Sequence, residues 1–196
     1  MRVKRTLTLI LALASLASLA LAPSAPAAGR LIAPPAACPG QNSLEAPAET
    51  QVQAMRCMTD FARRQIGLNS LVSTAELDSS ARSKVLDVIG CDSFSHSACG
   101  REFTFWMRET GYIGESCWRV GENLAWGIGQ EGTVRATFQA WMRSPTHRRN
   151  LLGGYTDLGL SVEVGKLAGR NGTHVWAQHF GTRCAASPDA GTPAEP

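Results

Sequence analysis

Charge of either sign is scarce in this chain: 19 Lys and Arg face 16 Asp and Glu among 196 residues, a formal net charge of +3. Three of the basic residues, Arg2, Lys4 and Arg5, lie within residues 1–27, where no acid occurs, so residues 28–196 carry 16 of each sign. A balanced chain has no concentrated positive field, which argues against nucleic acid or an anionic membrane as partner. No two cysteines stand in C-x2-C, so a zinc knuckle is excluded. No G-x-S-x-G occurs, and with it goes the nucleophile elbow of serine hydrolases. The one G-x-G-x-x-G, "GIGQEG" from Gly127 to Gly132, has no alternation of strand and helix around it and reads as a glycine loop.

What is present begins with an export signal. Arg2, Lys4 and Arg5 precede the apolar run Thr6 to Ala22, and "APA" at Ala25 to Ala27 offers a cleavage site. That layout predicts a signal peptide over 1–27 and a secreted, extracellular product. The run is short for the ~20 residues of a spanning helix, and no Cys follows it for a lipid anchor. No stable membrane anchor is expected after cleavage. Residues 28–48 are rich in Pro, Ala and Gly and read as an extended leader tied down through Cys38. Residues 49–184 hold the domain, and 185–196 read as a disordered tail. Six cysteines, Cys38, Cys57, Cys91, Cys99, Cys117 and Cys184, make an even count in an exported chain and predict three disulfides. Six allow 15 pairings, among which spacing does not choose.

Val52, Met55, Met58 or Phe61, Ala62 and Ile66 recur at helical spacing up to Gly67. Ser73 and Glu76 resemble a capping box before a second helix carrying Leu77, Ala81, Val85 and Val88. "REFTFWMRETG" from Arg101 predicts a short third helix, and Val134, Phe138 and Trp141 mark a fourth. The period then changes to two: Leu158, Leu160, Val162 and Val164 alternate, "AGRNG" turns the chain, and "THVWAQHFG" returns it as a hairpin. "ENLAWGIG" is a further strand candidate. Helices followed by a hairpin predict an α+β fold.

Chemistry centres on few groups. Pro145 stops the helix containing Trp141 at Ser144, and Ser144-Pro145 suits the N-cap and first position of a new turn. His147 falls in that first turn, where the helix dipole disfavours imidazolium and favours a base or ligand. The competing reading is a histidine that only satisfies a carbonyl at the corner. His96 lies in the polar loop "CDSFSHSACG" between Cys91 and Cys99. Glu122 in "GEN" would be costly to bury without a histidine or metal as partner. His174 and His179 are five apart in one strand, face opposite ways and read as structural.

Taken together, these segments resemble the CAP-domain family: cysteine-rich secretory proteins, antigen 5 and pathogenesis-related 1, with its bacterial SCP-like extracellular branch. "DFARRQIGLNSL" (60–71), "FSH" (94–96), "GY" (111–112), "GENLAWG" (121–127), "WMRSPTHRRNLL" (141–152), "DLGLSVEVG" and "HVWAQHFG" follow in family order. The resemblance implies a disulfide-stabilised three-layer α-β-α sandwich with a central antiparallel sheet. It also implies a cleft with His96, Glu122 and His147, supported by Asn123, Trp141 and Ser144. With the family in view, Cys38–Cys57 and Cys91–Cys99 are the expected pairs. Where relatives carry a second glutamate, this chain reads Met142, Arg143 and Ser144; Glu131 is the candidate substitute. His96 and His147 with Glu122 could hold Zn²⁺ as a hydrolytic, peptidase-like site, but no general base remains once Glu122 is assigned. No catalytic residue is therefore expected. The preferred reading is a monomeric, non-enzymatic binding module for a divalent metal, a lipid or sterol, or a cell-envelope or protein partner.

Overall fold

The computed structural model describes residues 28–115 and 117–184; the expected signal peptide and tail lie outside the described residues. In chain order the helices and strands are α1 (Ala48–Arg64), β1 (Val72–Ser73), α2 (Ala75–Gly90), α3 (Phe105–Glu109), β2 (Trp118–Ile128), α4 (Val134–Arg143), α5 (Pro145–Leu151), β3 (Asp157–Leu167) and β4 (Arg170–Arg183). The strands form one four-stranded sheet in the order β1-β3-β4-β2. β2, β4 and β3 are antiparallel, as expected. The two-residue β1 departs from that expectation and joins β3 in parallel, because the chain runs past the end of β3 on its way from α1 to α2.

Alternation along the strands sends two apolar sets to opposite faces, and each face needs a cover. Leu158, Leu160, Val162, Trp176 and Phe180 pack with Met55 and Met58 of α1 and with Phe138 and Trp141 of α4. On the other face Leu124, Val175 and Ala177 meet Ala81, Val85 and Val88 of α2. The result is the three-layer α-β-α sandwich. Every one of these side chains is at most 4% exposed, and burial of each large one is worth about 1.5–3 kcal/mol. Two glycines permit close layers: a Cβ at Gly159 would strike the Leu77 carbonyl of α2, and one at Gly127 would strike the backbone of Glu131.

Local details differ from the sequence reading in three places. Thr74, not Ser73, caps α2 by accepting from Leu77 N–H, while Ser73 donates to Asp78. α3 is shorter than predicted and begins only at Phe105; Arg101, before it, is held instead by Asp87 of α2 at 2.9 Å, and Trp106 within it donates to the same carboxylate at 2.6 Å. The leader is held by more than Cys38: Leu31 and Ala33 are buried in the core, and Arg135 of α4 donates to Ala33 O and to Gln41.

The disulfides are Cys38–Cys57, Cys91–Cys99 and Cys117–Cys184, with Cα separations of 5.6, 5.5 and 5.5 Å. The first two are the expected pairs. Cys91–Cys99 closes the loop that carries His96.

Candidate functional site

β2 is an edge strand, and its far side is met by α4, α5 and the residues after them. Their polar side chains cap its outward carbonyls: Trp141 Nε1–H donates to Leu124 O, Asn150 Nδ2–H to Glu122 O and Tyr155 O–H to Val120 O. Asn123, fully buried, donates to His147 O and to Gln178 and accepts from Asn150. Asn123 and Trp141 thus help to dock α4 and α5 on β2. Ser144 occupies the N-cap position of α5 with extended backbone and Pro145 follows at the first position. Its side chain makes no capping bond; its carbonyl accepts from Arg148 N–H instead.

Glu122 points to the α2 face of β2 with its side chain only 1% exposed. Its two oxygens are both engaged: His96 Nδ1 lies 2.6 Å from Oε1 and His179 Nε2 lies 2.7 Å from Oε2. Burial pushes the Glu122 carboxyl upward, but the bonds from His179 and His96 outweigh it and hold the group below the ordinary carboxylate range. The same bond to Glu122 holds His96 above the ordinary histidine value, against partial burial. Lys84, fully buried on α2, donates to His96 O at 2.7 Å and adds positive charge nearby. His147 is half-buried and held below the ordinary value, first by desolvation and then by the charge of His96. The helix dipole predicts the same bias to the neutral form; burial and His96 supply it here.

The structure therefore brings His96 and Glu122 into contact and sets His147 within electrostatic range of His96. It adds three residues absent from the sequence-predicted site. His179 pairs with Glu122 because the register sets these two opposite each other on adjoining strands. Ser80 Oγ lies 2.6 Å from His179 Nδ1. Lys84 stands one helical turn beyond Ser80. His174 lies on the other sheet face with Trp176 and Gln178, as alternation predicts. Glu131 does not substitute for the missing glutamate: it is exposed and lines a separate groove of about 250 Å³ with Trp126, Ala136, Ala140 and Arg143.

Among the described residues, no group of three or more His, Cys, Asp or Glu is arranged to hold a metal ion. Both oxygens of Glu122 are taken by histidines, and His96 gives Nδ1 to it, which leaves Nε2 as the His96 ring nitrogen open to a ligand; a carboxylate on the other ring nitrogen is also how a metal-bound histidine is held.

The chain belongs to the cysteine-rich secretory protein family: the CAP family model matches residues 42–180. It is 31% identical over 125 residues to Bacillus subtilis (strain 168) YkwD, described as an uncharacterized protein, covering 63% of this chain and 44% of that one. The chain thus spans less than half the length of that relative. Among solved structures, an outer surface protein of Borrelia burgdorferi superposes with a TM-score of 0.58 at 18% identity, over 71% of this chain and 97% of that one. An extracellular SCP-domain protein of Bacillus anthracis gives 0.54 at 23%, over 68% and 40%. These likenesses show the fold. No helix among the described residues is long and apolar enough to cross a membrane.

Proposed function

We propose that this chain is secreted and acts outside the cell as a non-enzymatic binding module that uses exposed His96 and half-buried His147, with Glu122 buried behind His96. One observation carries the reading: both oxygens of Glu122 accept from histidines, at 2.6 and 2.7 Å, in a buried position. A general base needs a free lone pair within reach of the proton it takes. Glu122 has neither the free oxygen nor the elevated proton affinity of a base poised near neutral pH. Its role is to orient His96. The relatives described as extracellular or outer surface proteins support the location.

The test has two arms. The purified protein is incubated with a peptide library, with added zinc chloride and with chelator. No cleavage is expected; chelator-sensitive cleavage lost in Glu122→Gln would overturn the reading in favour of a hydrolase. In parallel, co-sedimentation is measured with washed bacterial cell envelopes and with phosphatidylcholine vesicles with and without cholesterol or palmitate. Retention on one of these is expected for the wild type and not for the His96→Ala/His147→Ala double variant. Equal behaviour of the two proteins on all of them would sink the cleft as the binding site.

A further inference from the structure

Behind the exposed His96, an unbroken hydrogen-bonded chain runs through the protein: His96 Nδ1 to Glu122 Oε1 at 2.6 Å, Glu122 Oε2 to His179 Nε2 at 2.7 Å, and His179 Nδ1 to Ser80 Oγ at 2.6 Å. It crosses from the loop closed by Cys91–Cys99, through β2 and β4, to α2. Chemistry fixes most of its protons. An ionised carboxylate is an acceptor only, so each imidazole must present an N–H to Glu122. Neutral His96 is then protonated on Nδ1, and neutral His179 on Nε2. The remaining nitrogen of His179, Nδ1, must accept, and Ser80 Oγ is the donor in place.

Ser80 has one proton and two acceptors, His179 Nδ1 and Leu77 O at 3.1 Å. With His179 neutral, the hydroxyl serves the ring. With His179 protonated, Nδ1 donates to Ser80 Oγ, and the hydroxyl turns to Leu77 O. Either way the side-chain polar atoms of His179, Ser80 and Glu122 all keep a partner, a condition that buried networks must meet. Both His179 and Ser80 are fully buried, so neither can touch a ligand.

We propose that His179 and Ser80 are positioning residues that lock the tautomer of His96 through Glu122, so that Nε2 is the atom His96 offers to the cleft. Neutral His96 then offers Nε2 as a lone pair, to an O–H or N–H of a ligand or to a metal ion. This rests on the reading of His96 as a binding group, but its test needs no ligand, so the binding assays can fail while the lock stands.

The experiment is long-range ¹H–¹⁵N correlation of the histidine rings in the full chain, at a pH where His96 is neutral. In the wild type, His96 is expected wholly as the Nδ1–H tautomer and His179 as Nε2–H. His179→Leu frees one oxygen of Glu122 and lets the carboxylate turn; His96 should then populate both tautomers. His179→Gln, whose amide can donate to Glu122 and accept from Ser80, should restore the single form. Ser80→Ala removes only the hydroxyl and should loosen His179 first and His96 with it; it decides the matter if His179→Leu does not fold. A wild-type His96 that is not Nδ1–H overturns the proposal. So does an unchanged His96 in folded His179→Leu and Ser80→Ala proteins, which would leave His179 a purely structural residue.

Discussion

Glu122→Gln removes the charge that joins His96 to His179. The amide keeps the size of the carboxylate but offers one acceptor oxygen where there were two. One of the two imidazole N–H groups, at 2.6 or 2.7 Å in the wild type, would face an NH₂ group. Losing a bond to a charged group costs about 1.5–3 kcal/mol, and removing a buried charge returns part of that. A net loss of about 2 kcal/mol is expected, roughly 4–8 °C in Tm for a chain of this size. The pH dependence is more diagnostic. Glu122 is held below its ordinary value, so its contribution is complete above the unfolded carboxylate value of ~4.3 and is lost as pH falls through the folded value. His96 is held above its ordinary value, so its part is complete below ~6.5 and is lost as pH rises through the folded value. The wild-type advantage should therefore peak at about pH 5–6 and shrink on both sides. Urea unfolding followed by tryptophan fluorescence, with disulfides intact, measures it. Equal midpoints for the two proteins across that range would refute the reasoning.

Three further outcomes are expected. His147 is half-buried and held below its ordinary value by desolvation and His96, so its contribution is complete above ~6.5 and is lost as pH falls; the stability gap between wild type and His147→Gln should narrow toward acid pH in the same unfolding series. Lys84 opposes the charging of His96, so Lys84→Met should move the His96 titration to higher pH by ring NMR. Arg63 is buried and donates to the carbonyls of Asn69, Leu151, Gly153 and Tyr155, clamping the segment after α5 to α1. Arg63→Ala strands those acceptors and should cost roughly 3 kcal/mol in urea unfolding, and Arg63→Lys should recover only a part because its ammonium lacks the planar fork.

How far the sequence reaches can be traced residue by residue. Alternation at Leu158, Leu160, Val162 and Val164 and the helical spacing of Leu77, Ala81, Val85 and Val88 read directly as elements, because each face repeats along its own segment. Glu122 and His96 were legible through motif and burial cost. His179 was not, since its partner lies on another strand, and pairing register is a property of two strands together. Alternation gave its face correctly, with Val175 and Ala177, but not what stands across from it. Ser80 and Lys84 did leave a signal: a serine and a lysine, four apart, beside the apolar stripe of α2. Polar groups in a buried stripe require partners, and here those partners are His179 and the His96 carbonyl. The shortening of α3 was hidden for the same reason, because Asp87, which holds Arg101 outside the helix, sits on another helix.

Glu122 stands as a bridge between two histidines that is ionised through neutral and mildly acidic pH, not as a group that exchanges protons with a substrate. Its side-chain carboxyl carbon, followed by ¹³C NMR in the folded protein, tests this most directly. This resonance should stay at the ionised position through neutral and mildly acidic pH and titrate below the ordinary carboxylate range. A midpoint raised toward neutrality, as a general base or acid would show, would contradict it.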